Sequence, residues 1–117
     1  MITYKTIIVE DEWLARAELK HMLADYSNVE IIGEAASFVQ ALNLIEEEKP
    51  DLLFLDIHIP GGTGIELLKK LSYRPQVIII SAYDKYIKEA NKLNINKYLL
   101  KPIIYERLSN AIYKLQN

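Results

Sequence analysis

An α/β fold, a parallel sheet with helices on both faces, is predicted by three observations. Short apolar runs alternate with amphipathic segments five times along the chain. Helical patterns separate consecutive runs and leave no room for hairpins, so the strands are joined by crossovers and lie parallel. The third run, Leu52 to Leu55, shows no polar alternation, the habit of a strand covered on both faces.

Thr6-Ile-Ile-Val9 is a short β-branched strand that ends on Glu10-Asp11. Ala15, Leu19, Met22, Leu23 and Tyr26 then recur at helical spacing until Ser27-Asn28 interrupts them. Val29 to Glu34 is the second strand. Ser37, with Gln40 three residues on, is a capping box. Phe38, Ala41, Leu42 and Ile45 give the following helix its apolar face, and Pro50 stops it. The third strand ends on Asp56. In the loop behind it, Gly61, Gly62 and Gly64 allow positive φ and close backbone approach. Thr63-x-x-Glu66 is a second capping box, opening a helix that turns Leu67, Leu68 and Leu71 inward until Arg74-Pro75 breaks it. Val77 to Ile80 is the most apolar strand and ends on Ser81-Ala82. A more polar fourth helix is expected over 84–93, with Ile87 and Ala90 inward. Asn96 to Leu100 is the fifth strand, ending on Lys101-Pro102, and Ile104, Leu108, Ala111, Ile112 and Leu115 mark the last helix.

The 117 residues, 50% of them apolar, make one domain able to bury its own core. With no cysteine, thiol catalysis, thiolate zinc sites and disulfide frameworks are excluded. No apolar run approaches the roughly 20 residues of a membrane span, and the N-terminus leads straight into a strand rather than a signal peptide; a cytoplasmic protein is expected. A net charge of -2, with lysines scattered among acids, argues against direct nucleic-acid binding by this domain.

With the flavodoxin-like strand order 2-1-3-4-5, a (βα)5 three-layer sandwich, strands 1 and 3 are neighbours at the topological switch point. Glu10, Asp11 and Asp56 then converge at the carboxyl edge, joined by Ser81 from strand 4 and Lys101 from strand 5. On its own, an acid after a strand reads as a turn or cap residue; the convergence is what makes Asp56 a candidate working residue. Three carboxylates in one pocket repel and need a counter-charge. Mg2+ answers, since it takes hard oxygen ligands, keeps several waters and is held by one or two carboxylates plus a phosphate. Lys101 adds a positive charge suited to a phosphoryl oxygen. Together these groups describe phosphoryl transfer with a carboxylate nucleophile.

Glu10-Asp11, Asp56-Ile-His-Ile-Pro60 with Gly64 beyond it, Ser81-Ala82 and Lys101-Pro102 resemble the signature of response-regulator receiver domains of bacterial two-component signalling. The resemblance covers residues 1–117 as one receiver domain, any output domain lying outside this chain. The wording of Asp11-Glu-Trp-Leu-Ala-Arg16, Ser81-Ala-Tyr-Asp84 and Tyr98-Leu-Leu-Lys-Pro102 is similar to receivers that precede LytTR-type DNA-binding domains. The resemblance implies that Asp56 accepts a phosphoryl group from a sensor histidine kinase. It implies that Glu10, Asp11, Asp56 and the His58 backbone carbonyl hold Mg2+. Ser81, with Ala82 after it, would receive a phosphoryl oxygen, Lys101 would pair with the acyl phosphate, and Tyr98 would turn inward as Ser81 moves. The Lys101-Pro102 bond would be cis.

The implied partners are the kinase and a C-terminal output domain regulating transcription, with helices 4 and 5 as a candidate surface for a phosphorylation-dependent homodimer. The only enzymology expected is Mg2+-dependent self-phosphorylation and slow hydrolysis of the acyl phosphate. Because the chain stops at Gln116-Asn117 where the last helix should finish, a stand-alone receiver and a fragment cut ahead of an output domain are both expected forms, the LytTR-like wording favouring the fragment. Trp13, Ile59 and Ser81 depart from the commoner Pro, Met and Thr; Trp13 is expected to pack first, beside the pocket mouth where it bears on kinase docking. His58 is expected to use its backbone and not its ring, and His21 to lie on the surface. Tyr83, Tyr86 and Tyr105 either line a dimer surface or cover the core.

Three other functions fit less well. An aspartate-nucleophile phosphatase wants a second acid two residues after the nucleophile, where His58 stands. A flavin module wants a phosphate-cradling loop after strand 1, where Glu10-Asp11-Glu12 would repel a phosphate. An interaction module without phosphorylation would not need the acceptor-site residues, all of which are present.

Overall fold

The β-branched and leucine-rich runs form one five-stranded parallel sheet in a computed structural model that describes residues 2–115. Expectations drawn on Met1, Gln116 and Asn117 lie outside them. The strands are β1 (Tyr4–Val9), β2 (Val29–Ala35), β3 (Leu52–Asp56), β4 (Gln76–Ser81) and β5 (Tyr98–Leu100). Their order is β2-β1-β3-β4-β5, the flavodoxin-like arrangement. The helices are α1 (Trp13–Leu23), α2 (Phe38–Glu48), α3 (Gly64–Lys70), α4 (Ile87–Lys92) and α5 (Tyr105–Tyr113).

Successive strand side chains point to opposite faces, and this divides the core in two. Ile8, Phe54, Ile78 and Ile80 pack with Leu19, Leu23, Leu108 and Ile112 of α1 and α5. Ile7, Leu53, Leu55 and Ile79 pack with Ala41, Ile45, Leu68 and Ala90 of α2, α3 and α4. Each of these leucine, isoleucine and phenylalanine side chains, fully buried, contributes roughly 1.5–3 kcal/mol. β3 is central and buried along its whole length, so its end is a rigid mounting for Asp56.

After β3 the chain makes a two-residue ladder, His58–Ile59 against Gly62–Thr63. Gly61 turns it at φ 97°. At Gly64 a Cβ would stand 2.6 Å from the Asp56 carbonyl oxygen, so only glycine lets α3 start this close under the site. Thr63 and Glu66 form the reciprocal capping box. The Ser37 box is incomplete: Gln40 N–H donates to Ser37 Oγ, but the Gln40 side chain accepts from Ala36 N–H instead.

Several expectations need correction. α4 begins at Ile87, not 84, because Ile87 N–H bonds back to the Asp84 carbonyl in a turn. Ile87 is 38% exposed rather than inward; Ala90 is buried, and the half-buried Tyr86 ring covers the core beside it. β5 starts at Tyr98, two residues late. Trp13 is 71% exposed and not a packing residue; at 100° per residue it lies about 120° around α1 from the buried Leu19.

Candidate functional site

Strand register assembles the site. Val9 pairs with Leu55 and Asp56 with Ile80, so Glu10, one step past Val9, stands beside Asp56. Ser81 pairs with Leu100, and Lys101 N–H continues the ladder to the Ser81 carbonyl at 2.9 Å. The sheet therefore brings Glu10, Asp56, Ser81 and Lys101 to one edge, with Asp11 in the turn beyond Glu10.

Glu10 is 3% exposed, Asp56 5% and Ser81 not at all. Two buried carboxylates side by side require a partner, and Lys101 is between them. Its Nζ lies 2.6 Å from Glu10 Oε1 and 2.8 Å from Asp56 Oδ2. Burial pulls the Lys101 ammonium toward neutrality, but its hydrogen bonds to Asp56 and Glu10 and their charges outweigh this, holding it above its ordinary value. His58 N–H donates to Asp56 Oδ1 at 3.1 Å and Glu12 N–H to Glu10 Oε2 at 3.2 Å. Asp11 is exposed, yet a carboxylate oxygen from each of Glu10, Asp11 and Asp56 lies within 4.8 Å of the other two. An all-oxygen cluster with two buried acids and one facing water suits a small hard cation that keeps some of its waters.

Ser81 Oγ accepts from Tyr83 N–H at 3.1 Å, and the Tyr98 hydroxyl donates to the Tyr83 carbonyl at 2.7 Å. Burial raises the Tyr98 phenol above its ordinary value, against the lowering effect of the Ser81 hydroxyl. Ala82 is exposed beyond Ser81, and the bond to the exposed Pro102 is cis.

The His58 ring is not idle. It meets Tyr83 and Tyr86 edge-on at centroid distances of 5.5 and 5.2 Å, with Lys85 Nζ 5.3 Å from each tyrosine ring. These contacts join the loop after β3 to the loop after β4. They explain the half-buried Tyr86, while Tyr83 and Tyr105 stay exposed. Sequence reasoning also passed over Arg16, which reaches the Glu10 carbonyl from α1. No local spacing marks it, because its side-chain partner Glu34 lies 18 residues on, in β2.

The family described as Response regulator receiver domain matches residues 6–113. The transcriptional regulatory protein BtsR of Salmonella typhi is 38% identical over 114 residues, 96% of this chain and 48% of BtsR. The sensory transduction protein LytT of Bacillus anthracis is 40% identical over 113 residues, 94% of this chain and 46% of LytT. The response regulatory domain of mrkE from Klebsiella pneumoniae matches with a TM-score of 0.87 at 35% identity, covering 95% of this chain and 93% of that one. The chain spans about half the length of the curated relatives it matches, and their names agree with the narrower likeness to LytTR-type receivers. Among the described residues no helix is long and apolar enough to cross a membrane. The matched family is one of signalling receivers rather than catalytic enzymes, and this chain belongs to it: it is a response-regulator receiver domain.

Proposed function

We propose that Asp56 accepts a phosphoryl group from the phosphohistidine of a sensor histidine kinase, and that Ser81 and Tyr98 relay the new state to an output domain regulating transcription. The observation that carries this is the Asp56 carboxylate, nearly buried at the end of β3, 2.8 Å from the Lys101 ammonium and clustered with Glu10 and Asp11.

The chemistry follows from those positions. An Asp56 carboxylate oxygen attacks phosphorus, the bond from phosphorus to the imidazole nitrogen breaks, and the imidazole leaves with the electron pair. Rigid placement supplies orientation; Lys101 and the His58 N–H supply positive charge where the phosphoryl oxygens arrive. Glu10, Asp11, Asp56 and the His58 carbonyl are the residues that would hold Mg2+, which when bound there would offset repulsion between acids and phosphoryl group. Once phosphorylated, Asp56 no longer carries its own carboxylate charge, so Lys101 is free to pair with the phosphoryl oxygens instead. Ser81 Oγ, now engaged by the Tyr83 N–H, is the hydroxyl that would swing toward them. Tyr98 hangs on the same Tyr83 segment through its hydroxyl, so movement there changes the α4 and β5 surface. That surface, with α5, is also the candidate contact for a phosphorylation-dependent dimer.

The test is intact-mass spectrometry after incubation with acetyl phosphate, with and without Mg2+, on wild type and Asp56→Asn. One phosphoryl adduct that needs both the ion and Asp56 is expected. If no adduct forms and beryllofluoride also fails to bind, the phosphoacceptor reading is wrong, and the domain works as an interaction module.

A further inference from the structure

Arg16 lies in the stretch that gives the sequence its likeness to LytTR-type receivers, yet the phosphoryl chemistry gives it no part. Its position suggests one. Nη1 donates to the backbone carbonyl of Glu10 at 2.7 Å, and Nε donates to Glu34 Oε1 at 3.2 Å. Lys20, one turn further along α1, holds the other Glu34 oxygen at 2.9 Å. One planar guanidinium thus ties the turn between β1 and α1 to β2. A lysine, a point charge without the fork, does not hold two acceptors in a fixed plane.

The turn has few other restraints on that side. α1 begins with Glu12 at its N-cap and no side-chain hydrogen bond there. The Glu10 N–H bonds to the Ala35 carbonyl at 3.0 Å, and its carboxylate is held by Glu12 N–H and Lys101. Its carbonyl is held by Arg16. Because the peptide group is planar, fixing that carbonyl also fixes the amide nitrogen and Cα of Asp11. Asp11 is the exposed member of the acid cluster, the one whose place the core does not determine.

We propose that Arg16 is a positioning residue for the Mg2+ site: braced on Glu34, it sets the Glu10–Asp11 peptide plane and so the placing of both carboxylates relative to Asp56. This rests on the reading of Asp56 as phosphoacceptor. It has a consequence opposite in sign to simple electrostatics. Removing a positive charge near a cation site strengthens cation binding through the field alone. Removing a residue that orients the ligands weakens binding, by about tenfold at the low end for outer-shell partners.

Mg2+ titrated into the unphosphorylated full chain, followed through the backbone amide NMR shifts of Glu12 and His58, separates the two. In Arg16→Gln the dissociation constant is expected to rise about tenfold. Arg16→Lys, which keeps the charge and loses the fork, should rise less but measurably. At Mg2+ concentrations that saturate each variant, acetyl phosphate labelling should return to within about twofold of wild type, since the defect is in ligand placement. An unchanged or tighter constant in Arg16→Gln overturns the proposal. So does a labelling defect that persists at saturating Mg2+ together with a lowered melting temperature, which would make Arg16 merely structural. If Arg16→Gln does not fold, Arg16→Lys decides, and an unchanged constant there overturns the proposal. Wild type showing no Mg2+ binding would instead remove the phosphoacceptor reading, and the role of Arg16 with it.

Discussion

Lys101 spans the two buried acids, and this makes it the residue on which the resting site depends. Glu10 and Asp56 are each within 2.8 Å of its ammonium. Replacing it by alanine leaves two carboxylates buried without their cation, and breaking such a pair is far costlier than losing a surface one. The lysine is itself partly solvated, so Lys101→Ala is expected to lower stability by about 2–4 kcal/mol in EDTA. Added Mg2+ should recover more stability in the variant than in wild type, because ammonium and ion answer the same carboxylates. Urea denaturation in EDTA and in Mg2+ measures both; equal stability of variant and wild type in EDTA would show the acids to be solvated. Glu10, Asp56, Ser81 and Lys101 were legible in sequence because each follows directly on an apolar run, and a parallel sheet brings such positions together. The His58 ring and Arg16 were not. Their partners, Tyr83, Tyr86 and Glu34, are set by how loops and α1 pack, which strand periodicity does not encode.

At the scale of elements, the clearest signals were those with local chemistry. Thr63 and Glu66 form both bonds of their box, whereas the same spacing at Ser37 and Gln40 yields one, since Gln40 reaches Ala36 instead. The short α4 was overextended because three residues before it are spent in a turn and in the Tyr86 contact with His58. At the opposite end of the sheet from the site, α2 is clamped to the segment after α3 by a cluster in which only the Glu46–Lys49 pair is local and the link to Ser72 crosses 26 residues. Glu46 accepts from Lys49 Nζ at 2.6 Å and from the Ser72 N–H at 2.6 Å. Lys49, before Ser72, holds its carboxyl down at about 2. A carboxyl depressed on folding adds stability above its unfolded value, near 4.5, and loses it as pH falls toward the folded value. The stability difference between wild type and Glu46→Gln should therefore be constant above about pH 6 and shrink steadily between about pH 4.5 and 2. Urea midpoints across that range check it, and a gap independent of pH would mean that Glu46 acts only as a neutral hydrogen-bond acceptor.

Over the whole molecule, the sheet carries two covered faces and one functional edge, and the two are energetically linked. β3 is central, buried on both sides, and ends on the acid; a cation that binds the folded acid cluster and not the unfolded chain must stabilise everything β3 belongs to. The size of that linkage follows from mass action. At ten times its dissociation constant, Mg2+ adds about 1.4 kcal/mol, a rise of roughly 4–8 °C in the melting temperature of a domain this size. Asp11→Asn and Asp56→Asn each remove one carboxylate of the proposed Mg2+ site while leaving the core untouched, so each should lose most of the rise without losing the cooperative transition. Thermal melts followed by circular dichroism, with Mg2+ and with an equal ionic strength of sodium, isolate the specific effect from screening. A rise that survives in both variants would place the ion elsewhere on the acidic surface. A rise confined to wild type would tie it to the edge where β1 and β3 end.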